Sequence, residues 1–104
     1  MRYFIKILFL IFIFNVDYVF AQKISAGEEQ YEEHCSDCHS LNLRGTAHGS
    51  SLIGSQFIEK WEKKGFEALL AYTKKSMPPG KQGLISNDVY NEIQKYILKT
   101  NNKE

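Results

Sequence analysis

The sequence has few cysteines and prolines, little net charge and no long apolar run. Its 104 residues include two cysteines and two prolines. Two cysteines allow one disulfide, which excludes the small secreted domains that several disulfides hold together. The formal net charge is +1, far from the strongly basic balance of nucleic-acid-binding proteins. The apolar run at residues 7–14 is shorter than the roughly 20 residues of a bilayer-spanning helix.

The N-terminal segment has the organisation of a secretory signal peptide. Two basic residues precede the apolar run, and the small residue Ala21 offers a cleavage site. We therefore predict a cleaved signal peptide at residues 1–21, a single domain at residues 22–104, and a periplasmic location. Cleavage after Ala26 and an uncleaved membrane anchor are the alternatives.

The two cysteines stand three positions apart, and a histidine directly follows the second: Cys35, Cys38 and His39. This spacing is the attachment motif of c-type haem. Positions three apart share one face of a helical turn, so both sulfurs can reach one edge of a porphyrin. We predict one covalent haem c on Cys35 and Cys38, with His39 as an axial iron ligand. The other ring nitrogen of His39 should bond a backbone carbonyl in the loop near Ser50 and Ser51.

The second axial ligand is predicted to be Met77. Its thioether is a soft, uncharged ligand, and the two prolines that follow restrict the backbone. Methionine with histidine is the ligand pair of electron-transfer cytochromes c. His34 and His48 are rival ligands, although His34 should point away from the iron, and ordinary core packing is the alternative role for Met77.

Other chemistry is open to the cysteines. A Cys35–Cys38 disulfide would close a very short loop and restrict the unfolded chain little. A thioredoxin-like role needs a βαβ pattern, which the surrounding sequence lacks. A structural zinc site takes four ligands, so the three histidines of the chain would have to complete it.

Apolar periodicity and helix-end signals predict helices throughout the mature chain and no strand. Ser25 with Glu28 is a capping box that begins the first helix. A Gly-rich loop is predicted at residues 40–54. Three further helices are predicted from capping residues, glycine, proline and asparagine. They lie between Ser55 and Gly65, between Phe66 and Met77, and between Ser86 and Asn101.

These residues together resemble the class I c-type cytochromes, from Gly27 to Leu98. The resemblance rests on a terminal-helix pair, a Gly-rich loop and a Met-Pro-Pro-Gly segment, carried by Gly27, Tyr31, Ile93 and Tyr96, by residues 49–54, by Phe57 and Trp61, and by residues 77–80 and 84–86. The chain is similar to the small cytochrome c domains and partners of periplasmic quinoprotein alcohol dehydrogenases. It departs from them at Ser40, where they often have glycine, and at Ser51, where they often have proline or alanine.

The resemblance implies an all-α, small cytochrome c fold with three to five helices around one covalent haem. It also implies that Cys35 and Cys38 carry the thioethers and that His39 and Met77 ligate the iron. Side chains expected to pack against the haem are Trp61, near the propionates, Leu52 and Leu84.

The predicted function is that of a periplasmic monohaem electron carrier without enzymatic activity. Electrons would pass from a quinoprotein dehydrogenase or a respiratory complex towards a terminal oxidase. We expect a monomer with redox protein partners and with no nucleic acid or small-molecule substrate. Six lysines at residues 60–81 form a basic rim that can attract an acidic partner, unless they are simply a solvated helix face. The alternative is a haem sensor or peroxidase whose iron is five-coordinate or whose methionine is labile.

Overall fold

The structure, a computed structural model, describes residues 25–103, and the predicted signal peptide at residues 1–21 lies outside them. Five helices follow one another along the chain: α1 (Ala26–His34), α2 (Ser36–His39), α3 (Ser55–Lys64), α4 (Phe66–Ser76) and α5 (Asn87–Thr100). Between residues 25 and 103 there is no strand, and the predicted all-α fold is confirmed. In this part of the chain no helix has the length and apolar character needed to cross a bilayer.

The first and last long helices cross at a glycine. A Cβ atom at Gly27 of α1 would overlap the main-chain carbonyl oxygen of Glu92 and lie 3.0 Å from the Cβ atom of Tyr96, both on α5. The rings of Tyr31 and Tyr96 meet beside this contact, with their centroids 5.4 Å apart. The predicted terminal-helix contact is therefore present, and it depends on the missing side chain at position 27.

Helix ends follow the sequence signals closely. The Ser25 side chain accepts a hydrogen bond from the Glu28 amide at 3.1 Å, and the Ser86 side chain accepts one from the Val89 amide at 3.3 Å. One predicted cap is wrong: the residue before α3 is Gly54, with a φ of 102°, and Ser55 is already helical. Glycine adopts that conformation without steric cost, so the chain turns into α3 one residue earlier than predicted.

The loop between α2 and α3 is tied to the end of α5. The side chain of Asn101 accepts a hydrogen bond from the Gly54 amide at 2.9 Å and donates to the Leu52 carbonyl at 2.9 Å. The side-chain nitrogen of Asn101 also donates to the Ile97 carbonyl within α5. Leu43, 1% exposed, anchors the middle of the loop in the core. This long stretch without helix is therefore held in place at several points.

The core is built from apolar and aromatic side chains of every helix except the short α2, together with Leu43 of the loop. Its buried members are Tyr31, Leu43, Phe57, Ile58, Trp61, Leu69, Tyr90, Ile93, Ile97 and Leu98. Five of them, Phe57, Trp61, Leu69, Ile93 and Ile97, also line a cavity. The helices thus pack around an apolar space instead of closing completely on one another.

Candidate haem site

The cavity has a volume of about 450 Å³ and lies between the Cys-containing segment and the end of α4. This volume is within the range of about 300–1,000 Å³ that is typical of small-molecule and cofactor sites. Six of the seven predicted site residues line it: Cys35, Cys38, His39, Leu52, Trp61 and Met77. The seventh, Leu84, is 79% exposed and is not among the lining residues. The structure therefore brings the predicted attachment and ligand residues together, while Leu84 lies apart from them.

His39 is oriented by the loop. Its Nδ1 atom lies 2.7 Å from the carbonyl oxygen of Ser50, and a carbonyl can only accept, so Nδ1 carries the proton. The predicted hydrogen bond to the 50–51 loop is confirmed. Because the proton is on Nδ1, the lone pair of Nε2 is left free to bind a metal.

The Gly-rich loop lies directly against Cys38. A Cβ atom at Gly49 would come 2.5 Å from the Cys38 carbonyl oxygen and 2.7 Å from its carbon. The Thr46 hydroxyl donates to the same carbonyl oxygen at 2.7 Å. Sequence reasoning missed Thr46, because a threonine in a polar loop has no distinguishing pattern. Together these contacts fix the main chain that carries the second cysteine.

Both cysteines are free thiols in the structure, which therefore does not support a Cys35–Cys38 disulfide. Burial raises the pKa of the Cys35 thiol to about 11, which keeps this sulfur protonated and neutral at pH 7. Within residues 25–103 no group of three or more His, Cys, Asp and Glu side chains is arranged to hold a metal ion. The described part of the chain therefore has no ligand set for a structural zinc site.

Met77 follows α4 directly and has an extended backbone. Its amide donates to the Thr73 carbonyl at 2.9 Å, and its carbonyl accepts a hydrogen bond from the Tyr90 hydroxyl at 2.5 Å. Sequence reasoning missed this role of Tyr90, because a tyrosine in an apolar helical pattern does not reveal which carbonyl its hydroxyl reaches. Both main-chain polar groups of Met77 are therefore paired, and its side chain lines the cavity.

The rival histidines lie near the same space. His34 and His48 also line the cavity, so location alone does not separate them from His39. The His34 ring lies 4.0 Å from a Glu33 carboxylate oxygen, and His48 is exposed in the loop. Among residues 25–103, neither has a hydrogen bond from its ring to a main-chain carbonyl of the kind that orients His39.

Trp61 and two lysines form one edge of the cavity. Trp61 is 8% exposed, and its ring centroid lies 5.6 Å from that of Tyr72. The ammonium groups of Lys60 and Lys64 lie 5.2 Å and 5.3 Å from the Trp61 ring, respectively. Lys60 and Tyr72 themselves line the cavity. An anionic group at this edge would therefore meet positive charge.

Ser40 has an unusual backbone conformation, with φ 67° and ψ 160°. Such angles belong to a region that is almost restricted to glycine. Its amide donates to the Ser36 carbonyl at 2.8 Å, and its carbonyl accepts from the Tyr31 hydroxyl at 2.7 Å. Glycine would adopt this turn after His39 without the strain that serine carries.

The donor set fits a c-type haem. Two free thiols, an imidazole with a free Nε2 and a thioether line one cavity with apolar walls, and a glycine allows the loop to approach the thiol segment closely. A helical chain folded around a CxxCH segment in this way has the small cytochrome c fold, as predicted.

Comparison with known proteins gives the same class. Residues 22–97 match the family model described as cytochrome c oxidase, cbb3-type, subunit III. The match spans well over half of the chain, and the chain belongs to this family of c-type cytochrome domains. No curated protein and no solved structure matches it. The protein is therefore a haem c-binding, electron-transfer domain that works with redox protein partners.

Proposed function

We propose that the protein is a periplasmic electron carrier with one haem, attached through Cys35 and Cys38 and ligated by His39 and Met77. The observation that carries this proposal is that these four side chains line the same cavity. Bound haem would supply a one-electron ferrous–ferric couple. A carrier of this kind has no enzymatic activity of its own.

The chain's own residues would tune this couple. The Ser50 carbonyl holds the Nδ1 proton of His39, which fixes the ring and raises the basicity of Nε2. Methionine as the second ligand raises the reduction potential. The apolar walls, which include Leu69 and Ile93, disfavour additional positive charge on the metal. With haem bound, the Met77 ligand and the apolar walls would favour the ferrous form, and the fixed His39 ring would hold one ligand in place.

The partners we propose are a periplasmic dehydrogenase of the quinoprotein type, or a respiratory complex, as donor and a terminal oxidase as acceptor. The donor follows from the resemblance of residues 49–54 and 77–80 to the cytochrome domains of such dehydrogenases. The description of the matched family names an oxidase, which supports the acceptor. We further propose that the carrier works as a monomer.

The charge distribution supports an acidic partner surface. Residues 28–37 include five acidic side chains, whereas residues 60–81 include six lysines and two glutamates. Lys60 lies at the cavity edge and Lys64 beside it. Electrostatic attraction to this edge would raise association rates at low salt. A transfer rate to the partner that does not change with ionic strength would contradict this part of the proposal.

A redox titration followed by visible spectra tests the proposal. We expect a covalently bound, low-spin haem whose ferrous form does not bind carbon monoxide, because no iron position is open. Removing the His48 side chain should leave these spectra unchanged. Rapid carbon monoxide binding by the wild-type protein would favour the sensor or peroxidase alternative, and a colourless protein would exclude haem.

A further inference from the structure

One face of α5 holds both ends of α4, the helix that Met77 follows. Tyr90 and Gln94 lie four residues apart on α5, and residues at this spacing share a helix face. The Tyr90 hydroxyl donates to the Met77 carbonyl, just beyond the C-terminal end of α4. The Gln94 side-chain nitrogen donates to the Phe66 carbonyl, at the N-terminal end of α4, at 3.0 Å. The position of Met77 therefore depends on α5 as well as on its own helix.

The hydrogen bond from Tyr90 is sheltered. Tyr90 is 3% exposed, and the hydrogen bond that its hydroxyl makes to the Met77 carbonyl is part-buried. Because a carbonyl can only accept, the Tyr90 hydroxyl is the donor of this bond. If it were removed, the Met77 carbonyl would lose its partner in a part-buried place, where an unpaired polar group is costly.

We propose that Tyr90 is a positioning residue that keeps Met77 in the cavity and sets how readily an external ligand replaces it. This inference rests on the proposed function, in which Met77 is the sixth iron ligand. Pro78, which follows Met77, has no amide hydrogen to offer. The segment is therefore anchored at Met77 by the Thr73 carbonyl on one side and by the Tyr90 hydroxyl on the other.

The test measures imidazole binding to the ferric holoprotein, which requires the Met77 sulfur to leave. Tyr90→Phe should bind imidazole roughly three- to tenfold faster than wild type, since it loses one hydrogen bond that holds the methionine segment. Tyr31→Phe is the matched control. It removes a buried hydroxyl that donates to the Ser40 carbonyl at 2.7 Å, on the histidine side. It should lower stability by a similar amount but leave the imidazole rate unchanged.

Gln94→Ala provides a second variant if Tyr90→Phe does not accumulate as holoprotein. It frees the far end of α4, so it should bind imidazole faster than wild type and faster than Tyr31→Phe, and equal rates in all three proteins would overturn the positioning role of α5. The Gln94 side-chain oxygen is buried without a hydrogen-bond partner among the described residues, so removing it adds little further cost.

The outcomes separate this inference from the function on which it rests. Equal imidazole rates in wild type and Tyr90→Phe, or equal acceleration in Tyr90→Phe and Tyr31→Phe, would overturn the positioning role. Either result leaves Met77 as a ligand if the wild-type spectrum contains the sulfur-to-iron charge-transfer band. A wild-type protein without that band would instead contradict the proposed function itself.

Discussion

Replacement of Ser40 by glycine should stabilise the protein. Ser40 occupies a backbone region that costs a non-glycine residue about 1–3 kcal/mol. Glycine would remove this strain, but its greater freedom in the unfolded chain would lower the stability of the protein by about 0.5–1 kcal/mol. The exposed hydrogen bond from the Ser40 hydroxyl to Asn42 would also be lost, at a cost of about 0.5 kcal/mol. The net expectation for Ser40→Gly is a gain of about 1 kcal/mol.

Thermal and denaturant unfolding of the holoprotein measure this gain. A stabilisation of about 1 kcal/mol corresponds to a rise in Tm of about 4–8 °C for a domain of this size. Ser55→Gly is the matched control, because Ser55 is exposed and has helical backbone angles. The free energy of unfolding of Ser55→Gly should be about 0.5–1 kcal/mol lower than that of wild type. If Ser40→Gly were destabilised as much as Ser55→Gly, the backbone at position 40 would not be strained and the reasoning would be refuted.

Three further changes test the packing and the attachment site. Gly27→Ala should cost about 1–3 kcal/mol, because the new methyl group overlaps the Glu92 carbonyl; an unchanged denaturation midpoint would mean that α1 and α5 do not cross there. Asn101→Ala should cost about 2 kcal/mol in equilibrium unfolding, because it removes hydrogen bonds to the loop and to the end of α5; a loss below about 0.5 kcal/mol would argue against this tie. Replacing Cys35 and Cys38 together by serine should give a colourless, poorly folded chain, and well-dispersed amide resonances from that variant would count against a haem-dependent fold.

The parts of the fold that were predictable depend on short-range patterns. Ser25 and Ser86 begin helices because their side chains reach amides three residues away, which a sequence displays directly. The helix-crossing role of Gly27 and the loop carbonyl that orients His39 followed from family resemblance and ligand chemistry. These features require only neighbours in the chain or a known chemical need.

The parts that were missed depend on how distant segments meet. Asn101 bonds the main chain 47 and 49 residues away, and Tyr90 bonds a carbonyl 13 residues away on another element. Which hydroxyl or amide reaches which carbonyl is decided by the crossing of helices, and no local pattern encodes it. The positive φ at Ser40 was not predicted for a different reason: serine, unlike glycine, does not indicate a positive φ.

The sulfur-to-iron charge-transfer band of the ferric holoprotein is the measurement that tests the central claim most directly. The claim is that His39 and Met77 hold the iron from opposite sides. The band should be present in wild type and in His48→Ala, and Met77→Ala should abolish it while the covalent haem is retained. A band that persists in Met77→Ala would contradict the assignment.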